Sequence, residues 1–313
     1  MTSNQIIYPF GSHINPLWDK TESSTISWAA YFGLLYADQQ ILNFKKVKPQ
    51  RLTGRLFPNS NLPSLKFLDK WVVFFFLLED WMASIEKGRA KDFQISFKNS
   101  IDHIMRNPHD DKLDDFPFTH AFHNIWSELL GTIEGNGFLY LKRSIQKYFD
   151  AKIWLSYFLD SGRSPTVSDY MISICHLEGA TIFLNLAWSF SGINRIREYP
   201  LLDKIEYRYG RLVGISNDLI YSQFEIEQND HIYLLKLIQK EYKLPEIRCL
   251  YLLQNIGIQY LKSILDIEKE LMKNTDPFLI QNLEIAKLMA AGFKAWALEF
   301  QKHTENTING TYS

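Results

Sequence analysis

The chain has 313 residues, 46% of them hydrophobic and 15% aromatic, which is enough for a large core with aromatic surface to spare. Its net charge is −1 and its pI about 6.7, so the basic excess of a nucleic-acid binder is absent. Two cysteines, Cys175 and Cys249, exclude a disulfide framework and make a reducing cytoplasm the expected compartment.

The N-terminal MTSNQIIYPFGSH has no basic stretch followed by an apolar run, so it does not read as a signal peptide. Helical periodicity follows, with apolar residues recurring at three and four over 28–44, 65–85, 122–133, 139–159, 169–190, 250–271 and 279–300. The apolar run WVVFFFLL at 71–78 is too short to span a bilayer, and no stable membrane insertion is expected. Pro and Gly cluster in the gaps, in FPNSNLP (57–63), RNPHDDKLDDFP (106–117), DSGRSPTVS (160–168) and NTDP (274–277). SPTVSDY reads as a helix start, with Pro165 early and Ser168 or Asp169 as the cap. No strand alternation, repeat or linker interrupts this pattern. The expected fold is all-α, a single domain over 1–313 with an N-terminal segment at 1–20 and a flexible tail at 304–313.

Two helical stretches carry acids beside the most apolar sequence. FFFLLEDWMAS (74–84) holds Glu79 and Asp80, and SNDLIYSQFE (216–225) holds Asn217, Asp218 and Glu225. An unpaired buried polar group costs a few kcal/mol, so something should satisfy these side chains. Asn217 and Glu225 are eight residues apart, about 80° around a helix and two turns along it, so both can face one cavity. An amide carbonyl and carboxylates are hard oxygen ligands suited to Mg²⁺. Asp218 falls on another side of the helix, where a structural role is expected.

DDKLD (110–114) matches the literal pattern DDxxD. It lies between Pro108 and Pro117 with one apolar residue, and reads as a solvated loop. His120 and His123 have no third ligand at metal spacing.

Five segments in order resemble the class I terpene synthases of bacteria and fungi over residues 15–303. NPLWDKTESSTISWAAYFGLL (15–35) is similar to the family's N-terminal stretch. RLFPNSNLPSLKFLDKWVVFFFLLED (55–80) resembles its run from an Arg-x-x-Pro segment through a Trp to an aspartate-rich motif, with Trp71 eight residues before Glu79. SPTVSDYMISICHLEGATIF (164–183) resembles the helix that handles diphosphate, NDLIYSQFE the motif Asn-Asp-x-x-Ser-x-x-x-Glu, and GFKAWALEFQKH (292–303) the segment ending in Arg-Tyr.

The resemblance implies a helical bundle around one deep pocket, where three Mg²⁺ ions (Mn²⁺ being the alternative) bind the diphosphate of a prenyl substrate. Loss of diphosphate leaves an allylic cation in a dry, aromatic pocket. It assigns metal to Glu79, Asp80, Asn217, Ser222 and Glu225. Glu79 replaces the motif's first aspartate, and Ala83 stands where a third acid often lies. Tyr221 falls where the serine should be, with Ser222 one residue late, and Phe224 replaces a residue that is often basic. Gly179 matches the helix-break glycine thought to assist ionisation, with Glu178 before it. Cys175, followed by His176, stands in place of a diphosphate-sensing arginine, and Lys302-His303 in place of Arg-Tyr; these four are the candidates on the diphosphate side. Phe75, Phe76, Trp188 and Trp296 are candidates for the apolar wall, Phe76 because it lies three residues before Glu79 on one face.

The expected activity is cyclisation of a C15 or C20 prenyl diphosphate, and the resemblance allows a homodimer. The departures, all on the metal and diphosphate side, keep two alternatives open: an isoprenoid-binding protein with a weakened site, and a prenyltransferase that grips diphosphate differently.

Overall fold

The computed structural model of the protein describes residues 5–86, 88–110, 112–133, 137–191, 200–222, 233–274 and 276–308, without the side chains of 137, 274 and 302–308. After a short 3-10 helix, Trp18–Thr21, come α1 (Glu22–Tyr31), α2 (Asp38–Val47), α3 (Gln50–Leu56), α4 (Leu62–Ala83), α5 (Ala90–Arg106), α6 (Pro117–Leu130) and α7 (Gly137–Ser161). They are followed by α8 (Val167–Leu177), α9 (Ala180–Phe190), α10 (Pro200–Tyr221), α11 (Leu234–Tyr242), α12 (Glu246–Asn274) and α13 (Pro277–Ile308). The described residues form no strand, as the periodicity required.

Local chemistry sets several of these boundaries. The Asn61 side chain accepts from the Ser64 N–H at 3.0 Å and caps α4, whose first turn holds Pro63. The run expected to be one helix over 28–44 is two, because the chain turns after Phe32 and Gly33 adopts φ +70°. Thr166, rather than Ser168 or Asp169, caps α8; its hydroxyl oxygen accepts from the Asp169 N–H at 3.1 Å. The stretch 169–190 likewise divides, between α8 and α9. Helices α3, α5, α10 and α11 lie outside the segments recognised by periodicity, with only the end of α10, in 216–225, expected to be helical.

One apolar cluster runs through the molecule, from Ile6 to Trp296. Helix α4 is central to it, with Leu65, Leu68, Trp71, Val73, Phe74 and Leu78 fully inaccessible. Helix α10 packs on α8, α9, α12 and α13. Residues 5–10 also belong to this packing. Tyr8 Oη and Ser216 Oγ share a hydrogen bond at 2.6 Å, and Gln254 donates to the Gln5 carbonyl at 2.9 Å. The stretch Val167–Phe190 is long and apolar enough to cross a membrane by composition, but 72% of that window is buried inside the bundle.

The approach of α8 to α10 depends on two glycines. A Cβ at Gly210 would lie 2.6 Å from the Cys175 carbonyl oxygen, and one at Gly214 2.6 Å from Ile174 Cγ1. No real Cβ tolerates such distances, so only glycine lets the helices come this close. That contact brings the end of α8 beside the end of α10, where the candidate site lies.

Candidate active site

Three helix ends and the middle of α7 supply the site. Glu79 comes from the last turn of α4, Tyr148 and Lys152 from α7, Glu178 from the break after α8, and Asn217 from the last turns of α10. Glu79 accepts a hydrogen bond from the Tyr148 hydroxyl at 2.5 Å and pairs with Lys152 Nζ at 2.6 and 2.8 Å. Asn217 is buried; its Nδ2 donates to Glu178 Oε2 at 2.9 Å, and its Oδ1 is buried with no partner. Burial raises the Glu178 carboxyl above the ordinary carboxylate range. The nearby charge of Glu79 adds to this, while Lys152 and the Asn217 hydrogen bond pull it down. Glu178 thus links the two motifs, to Asn217 by a hydrogen bond and to Glu79 by charge.

The fit to a divalent cation can be judged from these groups. Glu178 contacts Asn217 and feels the charge of Glu79, and all three offer hard oxygen donors; a buried carbonyl left without a partner, as at Asn217, is the rare case in native proteins. Among the described residues no three His, Cys, Asp or Glu side chains form a cluster able to hold a metal. Glu225, the further acid of the α10 motif, lies outside the described residues. Ser222 follows the last residue of α10, and its hydroxyl donates to the Leu219 carbonyl at 3.1 Å. Asp80 is exposed beside Glu79. Tyr221 is half-buried, and its hydroxyl is driven well above its ordinary pKa by burial, then by the charge of Glu178. Asp218 takes the structural role expected of it. It accepts the Leu234 N–H at 2.8 Å at the start of α11, and burial pushes its carboxyl up to about 8.

Gly179 forms the break, with φ +63°, a left-handed conformation that costs other residues about 1–2 kcal/mol. Its carbonyl accepts from the N–H groups of Ile182 and Phe183 at 2.9 and 3.4 Å, starting α9. Cys175 and His176 sit otherwise than a diphosphate donor requires. Cys175 is 1% exposed against Gly210, its thiol donates to the Ile172 carbonyl, and burial pushes the thiol up to about 11. His176 is partly buried with an unpartnered Nδ1; burial, then the charges of Lys147, Arg143 and Arg211, pull it down to about 4, so it is neutral. Lys302 and His303 lie within α13, but their side chains are outside the described set.

The apolar wall begins directly below Glu79. Phe75 packs edge-on against Tyr148 and Phe183, at ring separations of 5.2 and 5.8 Å. Phe76 meets Trp296 edge-on at 6.3 Å, and Phe183 continues to Phe293 at 6.0 Å. Trp188 belongs to the packed core instead: it is 1% exposed and donates its indole N–H to the Asn282 carbonyl of α13 at 3.0 Å. Sequence reasoning missed Tyr148 and Lys152. Their i, i+4 spacing puts them on one face, but α7 is rich in aromatic and basic residues and nothing local marks this pair.

DDKLD is a loop in its described residues, with Asp110 accepting from the Lys112 N–H and Asp114 from that of Phe116. His123 bonds the Pro108 carbonyl at 3.0 Å. A cavity of about 460 Å³, lined by Asn59, Asn61, Ser64, Gln281 and Glu284 among others, opens at the opposite end of α4. Ser64 and Glu79 are fifteen residues apart on that helix, roughly 22 Å, so this cavity is not part of the site.

Comparisons with known proteins bear on the family and the fold. Residues 70–256 match the family described as terpene synthase family 2, C-terminal metal binding. The chain is 23% identical over 253 residues to a (+)-T-muurolol synthase ((2E,6E)-farnesyl diphosphate cyclizing) of Roseiflexus castenholzii, covering 77% of this chain and 75% of the relative. It is 22% identical to a (+)-(1(10)E,4E,6S,7R)-germacradien-6-ol synthase of Streptomyces pratensis, covering 73% of this chain and 65% of that relative's length. Its fold superposes on the crystal structure of an α-eudesmol synthase with a TM-score of 0.82 at 13% identity, over 94% of this chain and 98% of that one. The chain belongs to the class I terpene synthases, enzymes of the all-α isoprenoid synthase fold that use divalent metal.

Proposed function

We propose that the chain is a Mg²⁺-dependent cyclase of a prenyl diphosphate, acting as one catalytic domain, with a C15 substrate favoured over C20. The single observation behind this reading is Asn217. Its amide is fixed by Glu178 while its oxygen is buried and unpartnered. The C15 preference rests on the Roseiflexus relative, whose name specifies farnesyl diphosphate.

In this reading Glu79, Asp80, Asn217, Ser222 and Glu225 hold metal, and Lys302 and His303 assist with diphosphate. Bound divalent metal would neutralise charge growing on the leaving diphosphate. The carbon–oxygen bond breaks heterolytically, the diphosphate keeps the electron pair, and an allylic cation remains. Phe75, Phe76 and Trp296 present aromatic faces or edges below Glu79, and a face stabilises a cation by its quadrupole. The same rings exclude water, which delays quenching until ring closure and proton loss or hydration.

The test is incubation of purified protein with C10, C15, C20 and C25 prenyl diphosphates, with Mg²⁺ and with EDTA, followed by gas chromatography–mass spectrometry. A terpene hydrocarbon or alcohol formed only with metal is the expected result. Folded protein that yields none from any substrate overturns the reading. The isoprenoid-binding alternative would then stand, favoured by Cys175 being spent on helix packing.

A further inference from the structure

Lys152 has a role that neither acidic motif predicts. It stands on α7, is 16% exposed, and contacts both oxygens of Glu79, at 2.6 and 2.8 Å. Its ammonium lies 5.4 Å over the Tyr148 ring, and its charge lowers the pKa of the Glu178 carboxyl. Lys152 is therefore paired with Glu79 and acts by its charge on Glu178.

The positions where the resemblance expects basic residues are poorly furnished. Cys175 is packed into the α8–α10 contact, and Phe224 replaces a commonly basic residue. Among the described residues that act on Glu178, Lys152 is the cation. A lysine ammonium has three donors on a flexible stem and can exchange one anion for another. Glu79 cannot give the same lone pairs to an ammonium and to a metal.

We propose that Lys152 is an exchangeable internal cation. In the metal-free protein it occupies Glu79 and competes with divalent metal. Once displaced, it becomes a donor to the diphosphate, taking over the work of the basic residues that the chain lacks. This rests on the metal and diphosphate reading of the site given above.

The two halves predict effects of opposite sign in Lys152→Met. Mn²⁺ alone, followed by electron paramagnetic resonance, should bind about two- to fivefold tighter, the scale expected for losing a partly exposed ion pair. Inorganic pyrophosphate with saturating Mg²⁺, followed by calorimetry, should bind at least about tenfold more weakly, as for loss of one charge-assisted hydrogen bond. Lys152→Arg should restore pyrophosphate affinity to within about threefold, since it keeps the charge and the donors. Lys152→Gln serves the same measurements if the Met variant does not fold.

If Mn²⁺ affinity is unchanged or falls, or if pyrophosphate affinity is unchanged, the inference on Lys152 is overturned. A merely structural ion pair would lower both affinities together. Wild-type protein that binds neither probe would instead overturn the metal and diphosphate reading itself.

Discussion

Asn217 donates its Nδ2 to Glu178 at 2.9 Å and leaves its own Oδ1 buried without a partner. The hydrogen bond decides which way the amide faces. A carboxylate accepts only, so it takes the NH₂ end and turns the carbonyl end away from itself. Glu178 thus orients the amide that the proposed reading assigns to metal. Glu178→Ala should weaken metal affinity about 10–100-fold, the usual cost of losing such a partner. Asn217→Ala should cost at least as much. Mg²⁺ titration of turnover in both variants checks this, and unchanged titration curves would remove Asn217 from the ligand set.

The Phe76–Trp296 pair lies one turn below Glu79. Phe76→Leu keeps most of the apolar volume and loses the ring. Losing a desolvated cation–π contact of about 2 kcal/mol should lower turnover roughly 30-fold and shift the product mixture towards earlier quenching. Product chromatography beside a thermal melt distinguishes this from unfolding. An unaltered product mixture at full rate would place Phe76 outside the pocket.

Replacing Cys175 with arginine would restore the residue type that the resemblance expects. The position refuses it, because Cys175 is 1% exposed and a Gly210 Cβ would already stand 3.2 Å from its Cβ. Overpacking costs about 1–3 kcal/mol and an unpaired buried charge adds more. The expected outcome is a clear fall in melting temperature with no gain in turnover. A stable and faster Cys175→Arg enzyme would show that the side chain can reach the site.

Asp69 offers a prediction far from the metal motifs. It is fully buried, accepts from the hydroxyls of Thr25 and Thr53 at 2.5 Å each, and burial pushes its carboxyl from 3.8 up to about 6. A raised acid favours the protonated folded form, so its contribution to stability is full below about pH 3.8 and lost as pH rises through about 6. The shift corresponds to on the order of 3 kcal/mol. Urea midpoints measured from pH 3.5 to 7 should therefore fall more steeply in wild type than in Asp69→Asn. Parallel profiles would show that Asp69 titrates normally.

Much of the architecture was legible because helix formation is local. Apolar residues at three and four revealed α4, α6, α7, α12 and α13, and acids beside FFFLL and inside α10 were conspicuous as polar groups in apolar surroundings. Helix α5 escaped, although Phe93, Phe97, Ile101 and Ile104 repeat at the same spacing along a more polar segment. What one helix alone cannot encode is the partner opposite it. Lys152 of α7 meets Glu79 of α4, and Glu178 meets Asn217 beside the α8–α10 contact, whose closeness depends on Gly210 and Gly214. The same contact turns Cys175 inward, so the resemblance could name that position without placing its side chain. Periodicity within each segment was enough to determine an all-α bundle with two acidic motifs at helix ends. Which donors are paired, which oxygen is left free and which cation pairs with Glu79 was decided by tertiary packing, because those distances depend on residues far apart in the chain.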